Sequence, residues 1–382
     1  MNLKVGIVRS NGLNKWEMQG YEPLSSNGIN ITGICSSDNR YNLSKIKFPI
    51  IKLNRFGSYN KIPLLSKVLQ YFFPYNDWFF NFNKIAKRFD VLHTIDPFYP
   101  YSYQCAKSNK PSVFTYWENI PHNNERFAYK KFKKYVYKHG NHFIAVTPKS
   151  KECMLKEGVD ESKISIIYPG IDLNQFKPEK KDSELMNLYH LKEDSFIILF
   201  IGRLVYEKGI IPLLKSFKHL YLKNKNVKLL IMGKGPLLGK IREYIKKNLL
   251  QKNVIMIGFI EYEKINKLHN LADVLCVPSI PLYTKRLRWE EQFGYVFAEA
   301  MACGKPIIST VSGSIPEVVE DGGLLVKPND VKELTNTLES LYKDENLRKK
   351  IGKKAFDIAQ QRYNSKIMSK KLAELYISLI KY

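Results

Sequence analysis

Short apolar runs alternate with longer stretches of helical periodicity along the whole 382-residue chain, and that alternation predicts parallel sheets covered by helices. In the first half the expected strands are Lys4 to Val8, Ile29 to Ile34, Val91 to Thr94, Ser112 to Thr115, His142 to Val146 and Ile164 to Tyr168. Beyond Asp172 the chain turns polar and carries proline through Pro178 to Ser183, the composition of a linker. The strand pattern then resumes with Phe196 to Ile201, Val227 to Met232, Val254 to Ile257, Val274 to Val277, Pro306 to Ser309 and Leu324 to Val326. Two such sets predict an α/β chain of two doubly wound, Rossmann-like domains, 1–178 and 179–365, with ligands outside the carboxyl ends of the strands and in a cleft between the domains. Residues 366–382 read as a last amphipathic helix that packs back on the first domain.

The segment Trp289 to Ala302 carries the most chemistry. Ala298, Ala300, Met301 and Ala302 favour helix and Gly304-Lys305-Pro306 stops it, so a helix starts near Phe293 or Gly294. Its first N–H groups lack intrahelical partners and sit at the positive end of the dipole, so they can hold a phosphate without a cationic side chain. Gly294 lets a ligand approach that backbone. Glu291 and Glu299 lie on either side of the helix start, roughly 12 Å apart at about 1.5 Å rise per residue. One carboxylate can then accept hydrogen bonds from the hydroxyls of a sugar and the other from a ribose, with a diphosphate between. The alternative is that Glu290, Glu291 and Glu299 are solvated helix charges.

Two further strand ends add to this frame. Phe200-Ile201-Gly202-Arg203 is followed by Glu207-Lys208-Gly209, so that an Arg fork and a Lys point charge suit a diphosphate whose charge grows as its bond to a sugar breaks. Ile231-Met232-Gly233-Lys234-Gly235 closes another strand with a glycine turn, a weak signal when taken alone.

Composition narrows the class. With 44% hydrophobic and 25% charged residues the chain is globular and not disordered. No run of eighteen apolar residues and no signal-peptide pattern occurs, which predicts a cytoplasmic protein. Five scattered cysteines, without zinc-like spacing, read as reduced structural thiols. The formal net charge of +25 implies an anionic partner: nucleic acid, an acidic lipid surface or a phosphorylated small molecule. Its densest source is Arg126 to Lys151, where Ala128, Phe132, Tyr135, Val136 and His139 share a helical face while most lysines lie off it; the favoured reading is a solvated basic face, and the alternative is a helix docked by its apolar side with its basic face towards an anionic membrane surface. The aromatic run Tyr71 to Phe80 is a second candidate surface, although packing in the core or at a domain interface is the favoured reading.

Taken together, Tyr168-Pro169-Gly170-Ile171-Asp172, Gly202-Arg203-Leu204 with Glu207-Lys208-Gly209, Ala272-Asp273-Val274, Glu291 to Ala302 and Gly304-Lys305-Pro306-Ile307 resemble the retaining glycosyltransferases of family 4 (glycosyl transferases group 1), which have the two-domain GT-B fold. The resemblance is strong from about Ser165 to Asp330 and looser before it. It implies Arg203 and Lys208 on the donor diphosphate, Glu291 on the donor sugar, the amides of Phe293, Gly294 and Tyr295 on the phosphate, and Glu299 on the ribose. It also implies retention of anomeric configuration without a metal or other cofactor, in keeping with the lack of an Asp-x-Asp motif. The chain departs from the family in two places. The glycine pair of the first strand-to-helix loop is replaced by Ser10-Asn11-Gly12-Leu13, leaving Gly12 as the candidate donor contact, with Gly233 in the second domain. Trp117 stands where a histidine is usual, leaving Glu118 or His122 to bond the donor or the acceptor hydroxyl.

These features predict transfer of a sugar, a hexose, from a UDP-, GDP- or other nucleotide sugar to a hydroxyl of a glycan or lipid-linked acceptor, in cell-surface polysaccharide or glycoconjugate synthesis. Alternatives are a basic nucleic-acid-binding protein, disfavoured because the basic residues are spread over both halves without a recognised motif, and a nucleotide-sugar epimerase or phosphorylase of the same fold.

Overall fold

The computed structural model describes residues 3–59, 75–123, 125, 127–258, 260–284 and 288–380. Tyr71–Pro74 of the aromatic run and Arg126 at the head of the basic stretch lie outside the described residues. The chain divides into two compact units, Met1–Ile171 with Asn364–Tyr382, and Asp172–Tyr363. The divisions fall ahead of the expected ones after residues 178 and 365. Hydrogen bonding explains why: the Ile171 carbonyl accepts from Ser365 N at 2.9 Å, whereas Gln175 Nε2 donates to the Tyr262 carbonyl and Glu179 N to Asn270 Oδ1, which ties the proline-bearing segment to the second unit.

Among the described residues the first unit holds a seven-stranded parallel sheet of β1 (Leu3–Val8), β2 (Ile29–Ser36), β3 (Ile50–Leu53), β4 (Val91–Ile95), β5 (Ser112–Tyr116), β6 (His142–Ala145) and β7 (Ile164–Ile166), in the order β3-β2-β1-β4-β5-β6-β7. The edge strand β3 has no counterpart in the sequence reading. It is four residues long and half-buried or exposed throughout, so neither alternation nor a continuous apolar run marks it. On one face of the sheet Leu3, Val5 and Ile7 pack with Leu372, Ala373 and Tyr376 of the Ser365–Ile380 helix. Burying a side chain such as Leu372 contributes roughly 1.5–3 kcal/mol. The same helix is pinned by His93, whose Nδ1 and Nε2 lie 2.5 Å from Tyr376 Oη and 2.7 Å from Thr115 Oγ1. Burial holds the His93 pKa well below its ordinary value, so the ring stays neutral between these two hydroxyls. On the other face Phe79 packs with Val8, Ile34, Phe82, Leu92 and Tyr101, while its neighbour Phe80 is 41% exposed.

The second unit holds, among the described residues, a six-stranded parallel sheet of β8 (Phe196–Ile201), β9 (Val227–Met232), β10 (Val254–Gly258), β11 (Val274–Cys276), β14 (Ile307–Thr310) and β15 (Gly323–Val326), ordered β10-β9-β8-β11-β14-β15, with a separate antiparallel pair β12 (Leu282–Tyr283) and β13 (Arg288–Trp289). The chain steps outward from β8 to β10 and then returns to the other side of β8, so the topological switch lies between β8 and β11, where open α/β sheets bind ligands. The Ile210–Lys223 helix covers the sheet with Ile210, Leu213, Leu214, Phe217 and Leu220, buried at helical spacing. All five cysteines are buried and unpaired, and no helix of the described residues is long and apolar enough to cross a membrane.

Candidate active site

The loops that leave β8 and β11 at the switch point are locked together. Ile280 N donates to the Glu207 carbonyl at 2.8 Å, and Gly209, at φ 69°, lies so near Pro278 that a Cβ there would sit 1.8 Å from its carbonyl oxygen. Only glycine fits. This clamp sets Lys208 and Ser279 side by side. The Lys208 Nζ lies 2.6 Å from Glu291 Oε2, and Ser279 Oγ donates to that same oxygen at 2.9 Å. Glu291 is itself fixed by the loop after β14, where Ser314 N donates to its carbonyl at 2.9 Å. The ammonium also lies 5.0 Å from the centroid of the Trp289 ring at the end of β13, a favourable site for a cation. The Glu291 side chain is 7% exposed, so charge, hydroxyl and ring are gathered where solvent screens them weakly.

Three residues beyond Glu291, Gly294 caps the Tyr295–Ala302 helix at φ 76° without a side-chain hydrogen bond, which places the helix start where its sequence predicts. Phe293 is buried and packs edge-on against Tyr295 and Tyr363. On the next turns Glu299 is 4% exposed. Tyr262 Oη donates to its Oε1 at 2.6 Å, and His269 Nε2 lies 3.7 Å from its Oε2. His269 is fully buried, and neither ring nitrogen has a hydrogen-bond partner among the described residues. Tyr262 and His269, both edge-on to Phe176, were not singled out from sequence; a lone tyrosine and a lone histidine on a helical pattern carry no local signal.

The structure joins Lys208 to Glu291 but leaves Arg203 apart. The Arg203 side chain is 66% exposed and lies 3.4 Å from Glu207. Gly233 has a structural duty: at φ 153° it closes on β8 so tightly that a Cβ would meet the Gly202 carbonyl oxygen at 1.9 Å.

In the first unit, Gly12 lies in the loop after β1, and a Cβ there would meet nothing within 4 Å. Its loop is braced from below: Arg9 bonds Glu17 Oε1 through Nε at 2.8 Å and through Nη2 at 2.6 Å, and Asn14 bonds Glu17 N at 2.8 Å. Glu118 is buried and accepts from Asn123 Nδ2 at 2.9 Å. His122 is directed elsewhere, with its exposed ring on Glu125 Oε1 at 2.8 Å. The residue that sequence reasoning passed over is Asp96, directly after β4. It is buried, held at φ 27°, and accepts from Trp117 N at 3.0 Å. Burial first, and the neighbouring Glu118 charge second, push its pKa up to about 8. A strand-end Asp before Pro was the only available cue.

The basic Phe127–His139 helix docks through Phe132 and Val136. Two details differ from the expectation. His139 is exposed, stacked on Tyr135, and Lys133 turns inward, 3% exposed, because the buried Glu157 carboxylate needs a cation and finds its ammonium at 2.5 Å.

Two family descriptions cover most of the chain: residues 182–357 match the model of glycosyl transferases group 1 and residues 23–175 that of Glycosyltransferase Family 4. With two parallel-sheet Rossmann-like units, the chain belongs to the GT-B glycosyltransferases of this group. It is similar to an uncharacterized glycosyltransferase of Methanocaldococcus jannaschii, 28% identical over 221 residues that make up 56% of this chain and 54% of the relative. It is also similar to the capsular polysaccharide biosynthesis glycosyltransferase CapM of Staphylococcus aureus, 31% identical over 247 residues, 62% of each chain. The chain thus spans a little over half the length of these curated relatives. Its fold is that of HepE from Anabaena, solved in complex with UDP and glucose, at a TM-score of 0.76 and 20% identity over 98% of this chain and 100% of that one.

Proposed function

We propose that this chain transfers a hexose from a nucleoside diphosphate sugar to a hydroxyl of a glycan or lipid-linked acceptor in cell-surface polysaccharide or glycoconjugate synthesis, retaining the anomeric configuration and using no metal ion. The observation that carries this reading is the Lys208–Glu291–Ser279 cluster at the switch point, three residues ahead of an uncapped helix start. In this reading the diphosphate takes the Lys208 ammonium and the amides of Phe293, Gly294 and Tyr295. Glu291, released towards the sugar, accepts from its hydroxyls, and Glu299, oriented by Tyr262, accepts from the ribose. As the bond from the anomeric carbon to the diphosphate oxygen breaks, the electron pair stays on the diphosphate, the acceptor hydroxyl oxygen forms the new bond to the anomeric carbon, and its proton passes to the departing diphosphate. Lys208, the helix start and Arg203 stabilise that growing charge in place of a divalent ion. Arg203 can turn to this task at small cost, since an exposed pair such as Arg203–Glu207 contributes about 0–1 kcal/mol.

The relatives point the same way: HepE was solved with UDP and glucose, and CapM is named for capsular polysaccharide biosynthesis. A thermal-shift panel of nucleoside diphosphates and nucleotide sugars tests the donor class, because a ligand of the folded state raises its melting temperature. One nucleotide should stand out. A panel without any shift overturns the proposal, and an inverted product anomer by proton NMR overturns retention.

A further inference from the structure

A cavity of about 440 Å³ opens in the first unit beside the Phe127–His139 helix, outside the residues assigned to the donor. At one side sits the Glu157 carboxylate, whose side chain is 1% exposed. Its Oε1 accepts from His122 N at 2.8 Å and Lys133 Nζ at 2.5 Å, and its Oε2 accepts from Tyr116 Oη at 2.8 Å and from Tyr137 Oη. Four donors fill the roughly four lone-pair positions a carboxylate has. Glu125 is engaged as well, by His122 Nδ1 at 2.8 Å and Lys130 Nζ at 3.6 Å.

The remaining lining is basic. Lys134 and Lys138 are exposed and form no ion pair with a described acid. With Lys130 they make a row at i, i+4 and i+8 on one helix face, an arrangement of like charges that repels itself. Four lining lysines against two lining glutamates leave two positive charges over the cavity.

A cation is a poor occupant. Ligand atoms of His122, Glu125 and Glu157 do come within 4.8 Å of one another, yet their oxygens are taken and ammonium groups surround them. We propose instead that this cavity is a phosphate-binding site, in which Lys134 and Lys138, with Lys130, hold the phosphate group of a phosphorylated ligand. A dianionic phosphate matches the two surplus charges, relieves the repulsion along the row and offers enough acceptor oxygens for several ammonium donors. This inference stands independently of the transfer reaction.

Isothermal titration of the full chain with inorganic phosphate tests it, using wild type, Lys134→Ala/Lys138→Ala and Lys208→Ala, each checked for folding by circular dichroism. Binding should persist in Lys208→Ala and weaken about tenfold or more, equivalent to 1.4 kcal/mol, in the double variant. Unchanged binding in the double variant, loss confined to Lys208→Ala, or no phosphate binding alongside manganese binding that His122→Ala abolishes would each overturn the proposal. Vesicles of phosphatidylcholine with phosphatidylglycerol separate the sources of the phosphate. Lysine-dependent sedimentation that inorganic phosphate competes away assigns a lipid headgroup, and phosphate binding without sedimentation assigns a soluble ligand. Lysine-dependent sedimentation that phosphate does not compete means diffuse charge attraction and overturns the site.

Discussion

The Lys208 ammonium and the Glu291 carboxylate meet at 2.6 Å with side chains only 17% and 7% exposed, and they come from loops that follow different strands. Each is the counter-charge of the other; in the proposed function a diphosphate replaces the carboxylate as the partner of the lysine. Truncation to Lys208→Ala therefore has two effects. It strips a buried carboxylate of its cation, which should cost about 1–3 kcal/mol, below the range for fully buried pairs because Lys208 keeps some solvent. It should also weaken nucleoside diphosphate binding by about tenfold or more, the loss of a charge-assisted contact. Thermal melts and nucleotide titration of the same variant check both.

Tyr262→Phe removes the hydroxyl that donates to Glu299 at 2.6 Å. The carboxylate then loses an orienting bond worth about 1.5–3 kcal/mol to a charged group. Nucleotide affinity should fall several-fold while turnover at saturating donor changes little, because the ribose is not the reacting centre. A fall in kcat with unchanged KM would show that Tyr262 acts elsewhere.

Much of this was legible in the sequence, for definite reasons. The helix of Tyr295–Ala302 announces itself by its alanines and its flanking glycines, and the strands β8, β9 and β11 by apolar runs that end in polar loops. What stayed hidden is pairing across the fold. Nothing local tells that Glu291 faces Lys208, that Glu299 is backed by Tyr262 and His269, or that Lys133 turns inward to Glu157. The antiparallel β12–β13 pair was hidden as well, because two-residue strands have no period to detect.

Asp96 should make stability depend on pH. Its folded pKa, about 8, lies above the ordinary carboxylate value near 3.8 that applies when the chain is unfolded. Between those values the folded state holds a proton that the unfolded state has released, so this contribution is fully present in acid and is lost as pH rises towards 8. The slope from one proton is at most about 1.4 kcal/mol per pH unit. Urea denaturation from pH 5 to pH 9 should show this decline in the wild type and its absence in Asp96→Asn.

Gly209→Ala combines an unfavourable φ of 69° with a methyl group 1.8 Å from the Pro278 carbonyl oxygen. The β8 and β11 loops must separate to admit it, at a cost of more than about 1 kcal/mol from the backbone alone. The expected outcome is a lower melting temperature together with weaker nucleotide binding, since Lys208 is the adjacent residue. A variant with wild-type melting and wild-type affinity would show that the clamp does not position the lysine.

In the proposed function a donor diphosphate is held between Lys208 and the start of the Tyr295–Ala302 helix, with a glutamate at each end. The most direct measurement is sugar transfer or donor hydrolysis by wild type, Lys208→Ala and Glu299→Ala, with the nucleotide sugar that the thermal-shift panel selects. Loss of about a hundredfold or more in kcat/KM for Lys208→Ala, with a smaller loss for Glu299→Ala, is the predicted result. Unchanged turnover in both variants would contradict it.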